Sequence, residues 1–236
     1  MIFLLFDGWI DGITASCVVG FGLITGILLI IKSKKKQVAR LWQLGIVNIL
    51  GGLMFLGVFF DFITVLRRGT NIDNSYGLVG LLSYVFYPPL TIFAMFLGGE
   101  LLDLKKNLKI TLISIQIALG VAFYIFIFSD PFGSFGFTEP IVSGDYLIDY
   151  NIELMSIAGL LMAGQLIPLV AILGIDVLIQ SRKSSGVIKK KLRFLAIGVF
   201  CYGIFGILEG LTIPGGLLIF VRIGYISSFI FMYLGL

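Results

Sequence analysis

Long apolar runs separated by short polar clusters repeat along the whole chain. Seven of them reach the length of about 20 residues that a membrane-spanning helix needs, at roughly 9–32, 41–66, 76–102, 108–128, 154–180, 192–212 and 215–236. This pattern predicts an all-α, polytopic membrane protein whose residues 1–236 form one bundle of seven transmembrane helices. The third run contains "VFYPPLTIF", where Pro88 and Pro89 remove backbone donors and predict a kink or local unwinding. Composition agrees with the pattern. The chain is 58% hydrophobic and only 13% charged, too little polar surface for a water-soluble domain of 236 residues. Thirty glycines suit close helix approach in lipid.

Charge adds a direction. Of the seventeen Lys and Arg residues, all but Arg67, Arg68 and Arg222 fall in three connections. Lys32, Lys34, Lys35, Lys36 and Arg40 join helices 1 and 2, and Lys105, Lys106 and Lys109 join helices 3 and 4. Arg182, Lys183, Lys189, Lys190, Lys191 and Arg193 join helices 5 and 6. By the positive-inside rule these loops are cytoplasmic, which predicts an outside N-terminus, a cytoplasmic C-terminus and a multi-pass protein of the cell membrane. The bases would meet the anionic headgroups of the bilayer. The opposite side is acidic: "SDPFGSFGFTEPIVSGDYLIDYNIE" carries five carboxylates and no base. Its "EPIVSGDYLIDY" predicts a hairpin about Ser-Gly-Asp, with aromatics over the outer mouth of the bundle or a simple solvated loop. "MIFLLFDGWID" has no basic n-region and is broken by Asp7, so it reads as an interfacial lead into helix 1, with Trp9 near the headgroups, rather than a cleaved signal.

The chain has no histidine, which removes the usual haem axial ligand, common zinc ligands and histidine-activated nucleophiles. Cys17 and Cys201 both sit in apolar runs. No phosphate loop, metal motif or aspartic dyad is present, and the last helix has no lysine for a retinal imine. The expectation is a protein that is not an enzyme, without catalytic residues, metal or cofactor, and without a nucleic-acid partner.

Candidate chemistry is therefore sparse. In "ILEGLTIPGGLLIFVRIGYI", Glu209 sits in the outer turn of helix 6. Arg222 lies eight residues beyond Pro214, roughly 12 Å along helix 7. A charge at that depth is a functional candidate by default. Either Arg222 pairs with Glu209 or Asp61 and ties the outer half together, or it anchors an anionic ligand; Asp11 lies a little higher. A neutral polar set (Gln43, Asn48, Tyr84, Tyr87, Gln116, Gln165, Tyr202 and Tyr225) either bonds helix to helix or lines a pocket near the proline pair. The candidate ligand-binding residues are Arg222, Glu209, Asp61, Tyr87 and Gln165. Glu100, Asp103 and Asp176 lie near the basic loops, where they form salt bridges or a docking surface.

With "KKKLRFLAIGVF" entering helix 6 and "VRIGYISSFIFMYLGL" as a polar helix 7, the chain resembles the seven-helix membrane sensor regions at the N-terminus of archaeal and bacterial signalling proteins such as histidine kinases. The resemblance implies a receptor-like module that binds a small or lipid-soluble ligand in the outer half and signals through the cytoplasmic loops to a cytoplasmic or membrane partner. In that family an output domain commonly follows. Here the chain stops at Leu236 without a phosphoacceptor histidine, which implies a stand-alone module, a subunit acting through a partner, or part of a longer protein. A small secondary transporter and a structural accessory subunit are the alternatives.

Overall fold

The computed structural model describes residues 4–212 and 215–235. The expected helix start near Pro214, the first three residues of the N-terminal lead and the final Leu236 lie outside the described residues. The helices are α1 (Phe6–Lys36), α2 (Ala39–Leu53), α3 (Leu56–Arg68), α4 (Leu78–Tyr84), α5 (Tyr87–Leu101), α6 (Lys106–Ser129), the single turn α7 (Pro131–Ser134), α8 (Ile157–Leu169), α9 (Val177–Lys183), α10 (Gly186–Glu209) and α11 (Gly216–Gly235). Among the described residues six stretches are long and apolar enough to cross a membrane, with α4–α5 and α8–α9 each forming one of them. The bent pair α2–α3, taken as one span, makes the seventh. The protein is an all-α, multi-pass membrane bundle.

Three of the seven spans are interrupted, and the interruptions differ from the expected one. Span 2 bends by 47° between α2 and α3. α2 is pressed against α1, where a Cβ on Gly22 would lie 2.6 Å from the Gly52 α-carbon. The Gly57 N–H, an unpaired donor at the start of α3, is met by the Ser83 hydroxyl at 2.9 Å. The Tyr150 hydroxyl donates to the same oxygen at 2.5 Å. α3 stops at Gly69, whose φ of 73° supplies the left-handed cap.

Span 3 breaks at Val85–Phe86, one turn before the prolines. Pro88 and Pro89 do not unwind a helix; they sit in the first turn of α5, where missing N–H groups cost nothing. The Tyr124 hydroxyl donates to the Val85 carbonyl at 2.6 Å, filling the gap in the ladder. Span 5 continues from α8 through a π-helical stretch, Val170–Asp176, into α9, immediately after Pro168. A proline inside a helix removes one ladder bond, and a local change of helix type re-pairs the freed groups.

The acidic connection folds into an antiparallel hairpin, β1 (Phe135–Thr138) with β2 (Asp149–Ile152), Phe135 facing Ile152. Its strands lie further out than the expected Ser-Gly-Asp turn, and only a single Ser143–Tyr146 bridge forms there. The aromatics do turn inward: Phe135 is buried and stacks on Tyr84 at 5.1 Å.

Among the described residues three apolar clusters fill the bundle, the smallest of them (Phe123, Ile127, Phe135, Ile152 and Ala158) where α6 and α8 meet the hairpin. Towards the basic loops, Leu29, Leu44, Met95, Leu173, Leu195 and Met232 interlock between α1, α2, α5, the π stretch, α10 and α11. Towards the hairpin, Val18, Phe55, Phe62, Tyr225 and Phe229 form a second, more aromatic core. α10 packs along the π stretch and α9 but makes few contacts with α8, so α8 and α10 part towards the hairpin end.

Candidate functional site

The parted helices enclose a cavity of about 350 Å³ beneath the hairpin. Its walls come from the interruptions themselves: Met54 and Phe55 from the bend of span 2, Tyr84 and Tyr87 from the break of span 3. β2 closes it with Asp149 and Tyr150. Gly203 and Gly206, with Gly210 just past its end, give α10 a low surface on its side. Ile167, Ile207 and Leu211 line the cavity and are also exposed on the apolar outer surface, so it opens sideways between α8 and α10.

Arg222 forms the polar end. It is buried at 3% exposure, and every nitrogen of its guanidinium is engaged by protein. Nε and Nη2 donate to one oxygen of Glu209 at 3.0 and 2.8 Å. Nη1 donates to the Thr14 hydroxyl at 2.8 Å and to the Asp11 carbonyl. Nη2 also lies 2.6 Å from the Asp11 carboxylate, and the guanidinium rests over the Phe55 ring at 5.4 Å. Charge pairing at this depth is what makes a buried arginine tolerable.

The five candidate residues fall in three places. Arg222, Glu209 and Tyr87 border the cavity. Tyr87 also crosses to α8, its hydroxyl donating to the Met162 carbonyl at 2.8 Å. Asp61 is not a cavity residue and does not pair with Arg222. It is fully buried and accepts from the Ile72 N–H at 2.8 Å, the Ile148 N–H at 2.8 Å and the Asn71 amide at 2.9 Å. A carboxylate is the one side chain here able to accept all three, and it ties α3 to two loops at once. Gln165 is likewise elsewhere. It exchanges amide-to-carbonyl bonds with Gln116, each 3.1 Å, fastening α8 to α6.

Sequence reasoning places Asp11 near the depth of Arg222 without pairing the two, and passes over Thr14 as a partner of Arg222 and the hairpin's Asp149 and Tyr150 as cavity walls. One signal was available: Asp11 and Thr14 are three apart, on one face of an apolar helix. Asp149 has no comparable signal, because its place depends on the hairpin folding back. Outside the spans, burial raises the Asp149 carboxyl above its ordinary range, and nearby Asp11 pushes the same way. Burial raises the Tyr150 phenol too.

At the basic end, Glu100 pairs with Lys109 at 2.8 Å and accepts from the Gln43 amide at 3.4 Å. Lys32 lies over the Tyr233 ring at 4.9 Å. No cluster of potential metal ligands occurs among the described residues.

The chamber is apolar and tyrosine-rich and ends at Arg222, with Asp11 and Glu209 bonded to it and Asp149 on the wall nearby. No protein-family model, curated protein or solved structure matches the chain. What the molecule shows of itself is its class, a multi-pass helical membrane protein, and nothing among the described residues is specific to sensor regions.

Proposed function

We propose that the protein is a receptor-like membrane module that takes a small, lipid-soluble ligand into the cavity beneath the hairpin and passes a helix shift to the basic loops. The observation that carries this reading is the sideways opening between α8 and α10. A chamber lined by Ile167 and Ile207 at its mouth and by Arg222 and its acids at its end is reached from lipid without crossing a polar surface. Its volume lies within the range of small-molecule pockets. Two of the elements around it, the α2–α3 bend and the α4–α5 break, and the π stretch that follows α8, are the places where a span re-angles most readily, since their ladders are already interrupted. A ligand preferring one setting of these joints would shift the populations of the whole bundle.

The same joints support a second reading, a small secondary transporter, because interrupted spans around a mid-bundle site are a recurring transporter device. The anionic-ligand role for Arg222 draws no support from its geometry, since protein acceptors already hold every guanidinium nitrogen.

The test is to purify the protein in mild detergent and identify retained small molecules by mass spectrometry, beside Gly206→Trp. Gly206 faces the cavity with only Tyr225 nearby at 3.7 Å, so the indole has space to enter and fill it. A lipid-soluble compound held by the parent and lost from the variant is the expected result. Equal retention by both would end the reading. Once a compound is known, its uptake by reconstituted vesicles would favour transport, and binding without uptake the receptor.

A further inference from the structure

We propose that the ligand of this cavity is an amphiphilic organic cation, its ammonium head beside Glu209 and Asp149 and its apolar body directed between α8 and α10. The inference rests on the cavity being a ligand site and adds the chemical class.

Charge balance is the first argument. Among the described residues lining the cavity, Asp11, Glu209 and Asp149 face a single base, Arg222. The base is spent on protein partners, so an anion would find no free donor and surplus negative charge. The second argument is a specific vacancy in the hydrogen bonding. Arg222 binds one oxygen of Glu209 twice, while the other, Oε2, is buried with no hydrogen-bond partner among the described residues. Buried polar atoms are normally satisfied, and a carboxylate oxygen asks for a donor or a positive charge.

The third is the chamber's wall. Tyr84, Tyr87, Tyr150, Tyr202 and Tyr225 all border it, and Tyr202 and Tyr225 lie ring to ring at 4.8 Å. Aromatic faces attract an ammonium group through their quadrupoles, most strongly where water is excluded. The fourth is the exit, where Leu166, Ile167 and Ile207 offer apolar contact to a hydrocarbon body reaching towards the bilayer. Carboxylates, aromatic faces and an apolar exit together select a positive head on a greasy tail. Each alone would select much less.

Three probes with one body and different heads separate the possibilities: 4-phenylbutylamine, 4-phenylbutanol and 4-phenylbutyrate, titrated calorimetrically into the full chain in lipid nanodiscs at pH 7. The amine is expected to bind at least about tenfold more tightly than the alcohol, the scale of one charge-assisted hydrogen bond, and the acid most weakly. Glu209→Gln is expected to erase most of the amine's advantage while leaving alcohol affinity in place. Should that variant fail to fold, Asp149→Asn, at the hairpin wall and without a bond to Arg222, is expected to reduce the advantage several-fold. If the alcohol or the acid binds as well as the amine, the cation proposal is overturned and the ligand cavity stands. If no probe binds and Gly206→Trp also changes no retained compound, both fall together.

Discussion

At the basic end Leu29, Leu44, Met95, Leu195 and Met232 fill the space between helices, and the charges stay at the helix ends and the short connections between them. At the hairpin end Arg222, Asp11, Glu209 and Asp61 are inside, two spans are broken or bent beside them, and a cavity remains. The first region is held by shape, where each side chain contributes many weak contacts and can be exchanged for another of similar volume. The second is held by specific pairs, where removing one partner strands the other in a low-dielectric setting. A region held by pairs can keep open space within it. That is why the candidate site is at this end.

Breaking the charge network gives the largest expected effect. Arg222→Met strands Asp11 and Glu209 and is expected to cost about 3–5 kcal/mol of stability, read as a steep fall in melting temperature in detergent. Adding Glu209→Gln to it should recover part of the loss, and simple additivity of the two changes would show that they do not act as a pair. The matching cut at the other end, Leu195→Ala, opens a cavity against Gly235 and is expected to cost roughly 2–3 kcal/mol. It should leave the amine-over-alcohol preference untouched. A change in that preference would mean the two regions are coupled more tightly than their separate packing suggests.

Gln165→Leu removes one of the two amide bonds to Gln116 and is expected to cost about 1 kcal/mol, with no effect on ligand affinity, since Gln165 does not line the cavity. The smallest effect sharpens the hairpin's part. Burial holds the Asp149 carboxyl above its unfolded value of about 3.9, so the stability it contributes is full below that value and lost as pH rises through the folded one. Asp149→Asn should therefore gain on the parent in melting temperature between pH 4 and pH 7. A constant difference across that range would show that Asp149 ionises as freely in the fold as out of it.

Much of the frame was legible because lipid makes simple demands. A span needs a fixed length of apolar chain, and all seven segments were placed within a few residues except where Gly186 begins α10 a turn or more earlier than its apolar face suggests. Charged residues at the ends of a helix extend it into the headgroup zone without adding apolar signal. The expected kink at Pro88–Pro89 moved to Val85–Phe86 because a proline pair is most stable in a first helical turn. Pro168 offered the same kind of signal for the π stretch. The bend of span 2 had only small residues to announce it, and such residues serve straight helices as often.

The Glu209–Arg222 pair was readable because a thirteen-residue separation across a short connection between two apolar helices leaves few other partners within reach. Asp61 was not, since its acceptors' partners, Asn71, Ile72 and Ile148, belong to loops whose return path is set by the whole fold. Depth along a helix can be counted from the sequence, whereas the direction a residue faces depends on which neighbours the helix meets.

By itself, then, the sequence determined the solvent, the number of spans and the placing of its bases at one end, because hydrophobic length and charge are local properties that each segment carries alone. Tertiary structure decided which charges meet, where the spans break and that α8 and α10 part to leave a chamber open to lipid. Those outcomes depend on long-range packing, where glycine contacts such as Gly22–Gly52 and returning strands such as β2 fix positions that no single stretch of chain specifies.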